Sequence, residues 1–228
     1  MSAGRRPERD TGERRVAGET PLSPERFAEI AGVSRETLDR LRLYADLLEK
    51  WQRTVNLVAR STLDDPWRRH FLDSAQLVPY LPAELPTITD IGSGAGFPGL
   101  VLAIVTGRPT ELIEADARKG AFLREAARVT GAPVTVTTAR IESVAAGENK
   151  SVDILTARAL APLANLCETA AALDARCCVF LKGAQWRDEL TLARKSWKMK
   201  IETFASLTAA DACILRLTDI APSAGTAG

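Results

Sequence analysis

The sequence predicts an α/β fold with a mixed sheet of about seven strands behind a helical extension. From Thr87 onward, short runs of β-forming residues alternate with helical stretches, which is typical of a parallel sheet with crossover helices. Two further candidate strands close the chain with no strong helix between them and indicate an antiparallel pair. Upstream of Thr87 the apolar residues recur at helical spacing instead.

The helical extension is predicted to occupy residues 21–85. Ser23, followed by a proline, can cap a short first helix. Ser34 can cap a longer amphipathic helix, and a third helix opens at Pro66. The apolar stripe of the second helix is formed by Leu38, Leu41, Ala45, Leu48 and Trp51. The third helix carries polar residues within about one turn of each other, namely His70, Asp73 and Ser74.

The sheet domain is predicted to span residues 86–220. Residues 1–20 contain hardly any apolar side chain, so we expect a disordered tail there, and a second flexible tail at 221–228. The expected strands are about 87–91, 111–115, 134–137, 152–156, 177–182, 200–207 and 212–218. The expected helices between them are about 99–105, 118–130 and 163–173.

Composition excludes several classes of protein. The longest apolar run, 100–105, is far shorter than the ~20 residues of a membrane span, and the first thirty residues hold no signal-peptide core. The four cysteines form no C-x-x-C pair and the chain has one histidine, so a zinc site lacks ligands. We therefore expect a soluble, cytoplasmic protein without a metal. Net charge is +1, but residues 182–200 hold six basic residues against two acidic ones, which indicates either a weakly basic binding face or a solvated helix.

A glycine-rich turn follows the first predicted strand and leads into a helix. Residues 90–99 read Asp-Ile-Gly-Ser-Gly-Ala-Gly-Phe-Pro-Gly. In an open parallel sheet this strand end is where ligands bind, and glycines let the backbone approach a ligand closely. Glu114 ends the second strand, twenty residues after Gly94, where a carboxylate can accept hydrogen bonds from both ribose hydroxyls of a nucleoside cofactor. The pattern predicts a Rossmann-like nucleoside site.

The turn has two interpretations. Gly94 to Gly99 matches the G-x-G-x-x-G pattern of dinucleotide sites, and an acid about twenty residues later belongs to that pattern too. Asp90, two residues before Gly92, is well placed to reach the methionine end of S-adenosylmethionine. The crowded Phe97 region suits a small nucleoside better than a pyrophosphate, which needs free amides at the helix start. These features favour a class I S-adenosylmethionine-dependent methyltransferase, while an NAD-dependent oxidoreductase stays open.

Two further strand ends carry candidate site residues. Glu142, with Ile141, follows the third strand, where a polar side chain can receive the adenine amino group beside an apolar wall. Arg158 ends the fourth strand, where substrate meets cofactor, and its permanent charge can bind phosphate or carboxylate. The alternative roles are a surface glutamate for Glu142 and a structural salt bridge for Arg158.

The motifs resemble those of the RsmG family, also called GidB, of bacterial 16S rRNA guanosine-N7 methyltransferases. The matching stretches between Ser34 and Gly183 are Lys50-Trp51 with Asn56-Leu57, Arg69 to Ser74, Asp90 to Gly99, Phe122 to Arg124, Arg140 to Glu142, Arg158-Ala159 and Leu181 to Gly183. The combination of Arg-His-Phe-Leu-Asp-Ser with Gly-Phe-Pro-Gly is much more specific than the glycine turn alone. Departures from the family pattern are Ala95 for a frequent Gly, Ala157 for a commoner Ser and Val55 for an aromatic residue.

The resemblance implies a site and a reaction. Cofactor contacts are placed on Gly92, Phe97, Ile141, Glu142 and Arg158, with Glu114 at the ribose position. The implied reaction is methyl transfer from S-adenosylmethionine to N7 of a guanosine in 16S rRNA of the small ribosomal subunit. A non-enzymatic ribosome assembly factor with a vestigial pocket is a further alternative, against which the intact turn, Glu114 and Arg158 argue.

The implied reaction needs no general base, because guanine N7 carries a lone pair and no proton. Catalysis would come from holding the nucleophile, the methyl carbon and the sulfur in line. We therefore expect His70 and Asp73 to shape the site rather than to move protons. We expect Arg158 and Lys182, with the basic segment after it, to bind RNA phosphates. The expected partner is 16S rRNA or the small subunit, and the expected oligomeric state is a monomer.

Overall fold

The computed structural model describes residues 20–147 and 151–223, and all structural statements concern these residues. The tails expected at 1–20 and 221–228 lie outside them, apart from residues 20 and 221–223. The last strand runs to Pro222, two residues past the predicted end of the sheet domain.

A seven-stranded sheet forms the centre of the described chain. Its strands are β1 (Ile88–Ile91), β2 (Thr110–Glu114), β3 (Val134–Thr138), β4 (Val152–Arg158), β5 (Ala175–Lys182), β6 (Trp197–Ala205) and β7 (Cys213–Pro222). Their order across the sheet is β3-β2-β1-β4-β5-β7-β6, with β1 to β5 parallel and β7 antiparallel to both its neighbours. The predicted mixed sheet with its antiparallel pair is confirmed. Because β1 lies between β2 and β4, the strand order reverses there, and ligands of open α/β sheets bind at such a point.

Helices cover both faces of the sheet. They are α1 (Pro24–Ala31), α2 (Arg35–Gln52), α3 (Asp73–Ala75), α4 (Gly99–Thr106), α5 (Ala117–Thr130), α6 (Ile141–Ala145), α7 (Leu163–Ala172) and α8 (Trp186–Ser196). A π-helix, Trp67–Leu72, continues directly into α3, and short 3-10 turns span Arg60–Thr62 and Val78–Tyr80. The predicted caps are confirmed: Ser23 and Ser34 each accept a hydrogen bond from the backbone N–H three residues later. Helix α6 was not predicted, and α8 lies in the basic segment 182–200, for which a solvated helix was one of two interpretations.

The helical extension and the first half of the sheet domain share one hydrophobic core. Tyr44 of α2 is fully buried among Phe71, Phe97 and Phe122, with ring centroids 5.2–6.2 Å apart. The Tyr44 hydroxyl donates to the carbonyl oxygen of Ala95. The extension therefore packs over α4 and α5 and supports the turn after β1, while α6, α7 and α8 pack on the opposite face.

None of the described helices is long and apolar enough to cross a lipid bilayer. The four cysteines are free and buried, and burial raises the pKa of each thiol. Cys177 and Cys178 belong to hydrophobic clusters on opposite faces of β5, as alternation along a strand predicts.

Candidate active site

The turn after β1 exposes backbone at the point where the strand order reverses. Gly92, Gly94 and Gly96 have φ of 61°, 58° and 96°, a region that residues with a side chain rarely adopt. A Cβ atom added to Gly94 would meet no atom closer than 3.8 Å, so the backbone there faces open space. A ligand can approach the chain closely at this glycine.

The other end of the turn is tightly packed. A Cβ atom at Gly99 would lie 2.5 Å from Cβ of Asp90 and 2.5 Å from Cδ2 of Leu112. At Gly96, an added Cβ would lie 2.8 Å from the hydroxyl oxygen of Tyr44. These glycines therefore let α4 and α2 pack directly against the strand end, which fixes the height of the turn above the sheet.

Glu114 ties the turn to the end of β2. Its Oε2 accepts the Gly94 N–H at 2.7 Å, and its Oε1 accepts the Asp116 N–H at 2.8 Å. The residue is 8% exposed. Each carboxylate oxygen keeps a second lone pair, so ribose hydroxyls can still donate to it. Ile141 and Glu142 begin α6, after β3, and β3 pairs with β2 up to Glu114.

Asp90 lies beneath the turn with no exposed surface. Its Oδ1 accepts the Thr156 hydroxyl at 2.8 Å, whereas Oδ2 has no hydrogen-bond partner among the described residues. Burial raises the pKa of Asp90 to about 6, against the opposing effect of nearby hydrogen-bond donors. A buried carboxylate oxygen without a partner is suited to a cationic or hydrogen-bond-donating group above it.

Arg158 is the centre of a second group of residues at the same edge of the sheet. Its Nη1 donates to the Arg69 carbonyl at 3.1 Å and to Asp73 Oδ2 at 3.2 Å, and its Nη2 donates to His70 Nδ1 at 3.1 Å. The guanidinium carbon lies 5.1 Å from the centroid of the Phe97 ring. The structure thus brings together four predicted site residues, which we name the Arg158 cluster: Arg158, His70, Asp73 and Phe97.

The hydrogen bonds of His70 define its protonation. Arg158 can only donate, so Nδ1 of His70 must accept and the neutral ring carries its proton on Nε2. Nε2 then donates to the Thr62 hydroxyl oxygen at 2.8 Å, and that hydroxyl donates to the Ala59 carbonyl at 2.6 Å. Burial, followed by the positive charges of Arg158 and Arg69, lowers the pKa of His70 to about 3. Both ring nitrogens are engaged and the ring is neutral near pH 7.

Lys182, predicted to contact RNA phosphate, lies in a closed environment. Its side chain is 7% exposed, donates to the Ala161 carbonyl at 2.9 Å and forms an ion pair with Glu189 Oε2 at 2.5 Å. Glu189 belongs to α8 and also accepts the Leu163 N–H at 2.8 Å. The structure does not place Lys182 in the Arg158 cluster. Its role in phosphate binding stays a prediction and requires this ion pair to open.

Leu160, which no sequence motif marks, lies against the glycine turn. A Cβ atom at Gly92 would clash with its Cδ1, and Leu160 is 41% exposed although it is apolar. The preceding Ala159 has φ of 50°, an uncommon value for a residue with a side chain. The sequence offered one indication of this: Leu160 lies two residues after Arg158, just beyond the end of β4, where ligands of parallel sheets bind.

A polar depression lies beside the loop after α2. It has a volume of about 420 Å³ and is lined by Gln52, Arg53, Thr54, Asn56, Ala59 and Arg60. The side-chain amide of Gln52 fixes this loop, since its oxygen accepts the N–H groups of Leu57 and Val58 at 2.9 and 3.0 Å. The loop leads to Thr62, the hydrogen-bond partner of His70. Among the described residues, no three His, Cys, Asp or Glu side chains are grouped to hold a metal ion.

Comparison with known proteins decides between the interpretations of the turn. The family model GidB, described as rRNA small subunit methyltransferase G, matches residues 37–214. The chain belongs to this family. The predicted resemblance is confirmed, and the oxidoreductase interpretation is set aside.

Relatives of known name agree with the family model. The chain is 52% identical to the ribosomal RNA small subunit methyltransferase G of Rhodospirillum rubrum over 201 residues, which cover 87% of this chain and 98% of the relative. The protein of the same name from Rhodospirillum centenum is 54% identical over 198 residues, covering 86% and 90% of the two chains. The crystal structure of the 16S rRNA methyltransferase RmtF in complex with S-adenosyl-L-homocysteine aligns with a TM-score of 0.52 at 15% identity, covering 79% and 76% of the two chains. That likeness shows the fold, and the predicted class I methyltransferase architecture is confirmed.

Proposed function

We propose that this chain transfers the methyl group of S-adenosylmethionine to N7 of a guanosine in 16S rRNA of the small ribosomal subunit. The observation that carries the proposal is the Arg158 cluster beside an open glycine turn, in which His70 is neutral and engaged at both nitrogens. Such a site aligns reactants without removing a proton. N7 of guanine is a nucleophile that needs no proton removed, and the family is described as acting on small-subunit rRNA.

The residues at the turn fit S-adenosylmethionine. The open backbone at Gly94 accommodates it, the free lone pairs of Glu114 suit its ribose hydroxyls, and the unpartnered Oδ2 of Asp90 suits its cationic amino group. Ile141 and Glu142 are proposed to contact the adenine end of the cofactor. Gly92 and Phe97 are proposed to contact it at the glycine turn. When bound, the cofactor supplies an electrophilic methyl group on a sulfonium.

Arg158 is proposed to hold the reacting groups in place. A guanidinium has five N–H groups, and the contacts with Arg69, Asp73 and His70 use three of them. The Nε–H and one Nη2–H have no partner among the described residues, so they can bind a cofactor carboxylate or an RNA phosphate. Asp73 and His70 orient the guanidinium from behind. Fixing the direction of approach in this way can contribute several kcal/mol to catalysis.

The substrate side is proposed to lie between Leu160 and the loop after α2. A single-stranded base is held by stacking or apolar contact, and Leu160 offers an exposed apolar surface next to the turn. Arg53 and Arg60 line the neighbouring depression and can contact phosphates. The proposed substrate places the reaction in the cytoplasm, and a monomer is sufficient for it because every proposed contact comes from one chain.

The test is transfer of tritiated methyl from S-adenosylmethionine to small ribosomal subunits purified from cells that lack this modification. We expect label at the N7 position of one guanosine of 16S rRNA, which mapping by chain cleavage at 7-methylguanosine would locate. The Gly94→Ala variant, with folding checked by circular dichroism, is the comparison variant and should label the rRNA more slowly at limiting cofactor. Three outcomes would contradict the proposal, even if the chain binds the cofactor: label on another base, label on protein, or no label on the particle.

A further inference from the structure

The Asp73 carboxylate of the Arg158 cluster accepts a hydrogen bond from a turn that is distant in sequence. The turn between β6 and β7, residues 206–212, places the Thr208 hydroxyl 2.6 Å from Oδ1 of Asp73, as a donor to it. The two residues are 135 positions apart in the chain. The other carboxylate oxygen, Oδ2, accepts Arg158. Asp73 therefore connects the β6–β7 turn with the guanidinium.

Gln76 strengthens this connection by bonding both the β6–β7 turn and Asp73. Its Oε1 accepts the Leu207 N–H at 2.7 Å, and its Nε2 donates to Asp73 Oδ1 at 3.0 Å and to the Ser206 hydroxyl at 3.2 Å. Gln76 is 5% exposed, so its amide loses these bonds only at the cost of burying unpaired polar groups. The turn and the carboxylate are thus fixed relative to each other by a buried amide that both of them share.

The bonds to Oδ1 of Asp73 also restrict Arg158. Asp73 can rotate about its last side-chain bond unless both oxygens are held, and Thr208 and Gln76 hold Oδ1. With Oδ1 held, Oδ2 keeps a fixed direction toward Arg158. The Asp73 side chain is 18% exposed and the Arg158 side chain 20% exposed, so water can replace little of this support.

We propose that Thr208 is a positioning residue for methyl transfer: together with Gln76 it fixes the Asp73 carboxylate, which fixes the guanidinium of Arg158. The inference rests on the proposed function, because it assigns to Arg158 the alignment of cofactor and substrate. Thr208 itself touches neither of them. The alternative is that Thr208 only attaches the β6–β7 turn to the helical extension. In that case, removing the Thr208 hydroxyl would leave Arg158 in place.

The experiment compares Thr208→Val, which keeps the shape and loses the hydroxyl, with Thr208→Ser, which restores a donor. Thr191→Val is the matched control, since Thr191 lies exposed on α8 and its hydroxyl bonds only the Arg187 carbonyl of its own helix among the described residues. Methyl transfer is measured as kcat and KM. The nitrogen NMR signals of the single histidine, His70, report in the same samples whether Arg158 still donates to Nδ1. Thermal unfolding identifies any variant that has lost its fold.

We expect kcat/KM of Thr208→Val to fall on the order of 10- to 100-fold, with a changed His70 Nδ1 signal. Thr208→Ser and Thr191→Val should match the unsubstituted chain in both readouts. A folded Thr208→Val protein with an unchanged His70 signal would overturn the inference, whether or not its activity fell. The histidine signal decides the matter without methyl transfer, so absence of activity in the unsubstituted chain would refute the proposed function alone.

Discussion

The glycine turn and the Arg158 cluster lie at the same edge of the sheet but are constructed differently. The turn is formed by the backbone of residues 92–99, which contain its glycines. Its carboxylate partner, Glu114, ends the adjacent strand β2. The cluster is a matter of side chains from separate segments, since Arg158 lies 85 or more positions from its partners Asp73, His70 and Arg69. The proposed cofactor site is therefore encoded by local spacing, whereas the proposed alignment of the substrate depends on the docking of the helical extension.

The largest expected effect comes from removing the cluster's cation. Arg158→Ala should lower kcat/KM on the order of 100-fold, because the aligning charge is lost and Asp73 loses its ion pair with Arg158. Arg158→Lys should recover little of this, since an ammonium cannot reproduce the fork of guanidinium donors. Steady-state methyl transfer is the measurement. Arg128→Ala is the control, because Arg128 is 70% exposed on α5 and pairs with its helical neighbour Glu125. Wild-type activity in Arg158→Ala would remove the cluster from catalysis.

The next effect distinguishes the turn from ordinary positive-φ glycines. Gly94 and Gly32 have φ of 58° and 64°, and neither would bring a new Cβ within 3.4 Å of another atom. Both alanine variants should therefore lose similar stability, about 1 kcal/mol, from backbone strain. Only Gly94→Ala should lose cofactor affinity, by about tenfold or more, because its Cβ enters the space proposed for the ligand. Calorimetric titration with S-adenosylmethionine checks this, and equal affinity in the two variants would place the cofactor elsewhere.

Two buried groups should give opposite pH dependences of stability. The pKa of Asp90 is raised from 3.8 to about 6, so between these values the folded state binds the extra proton and stability falls as pH rises. The pKa of His70 is lowered from 6.5 to about 3, so between these values the unfolded state binds the extra proton and stability rises with pH. Each slope has a limit of about 1.4 kcal/mol per pH unit, so the two oppose each other between about pH 4 and 6.

Single variants separate these contributions. His70→Gln leaves the Asp90 contribution, so stability should fall as pH rises from about 4 to 6 relative to the unsubstituted chain. Asp90→Asn leaves the His70 contribution and should tilt the profile the other way. Urea unfolding at intervals across this range gives the slopes, and slopes are compared because each substitution also changes stability itself. Parallel profiles in all three proteins would show that neither group is perturbed by burial.

The smallest expected effect on function concerns Lys182. Its side chain is 7% exposed and its ammonium pairs with Glu189, so Lys182→Gln should lower the melting temperature. If the ion pair stays closed when RNA binds, the same variant should leave the salt dependence of RNA binding unchanged. Arg60→Gln, at the exposed rim of the depression, should instead reduce that dependence by about one unit. Filter binding at several salt concentrations measures both. A reduction by one unit in Lys182→Gln would show that the ion pair opens onto a phosphate.

The sequence was sufficient for the elements whose signals are local. Alternating strands and helices, capping serines at 23 and 34 and the spacing from Gly94 to Glu114 all depend on neighbouring residues, and the structure agrees with each. Helix α8 was only one of two interpretations of the basic segment 182–200, because its apolar pattern is short: Leu190 and Ala193 are its buried members.

The contacts of the cluster could not be predicted in the same way. Proximity of His70 and Asp73 followed from helical spacing, but their meeting with Arg158 follows from how the extension packs on the sheet. The same holds for Thr208, which no motif marks, and for Leu160, whose approach to Gly92 depends on the backbone at Ala159. Long-range hydrogen bonds of this kind have no signature in a single sequence.

The central proposal is that the Arg158 cluster aligns the reactants and moves no proton. Single-turnover methyl transfer, measured with saturating cofactor across about pH 6 to 8, tests it most directly, since an ordinary histidine changes charge in that range. We expect a level rate, because His70 is neutral throughout with both ring nitrogens engaged. A rate that rises with an apparent pKa near 6.5, and loses that dependence in folded His70→Gln protein, would contradict it.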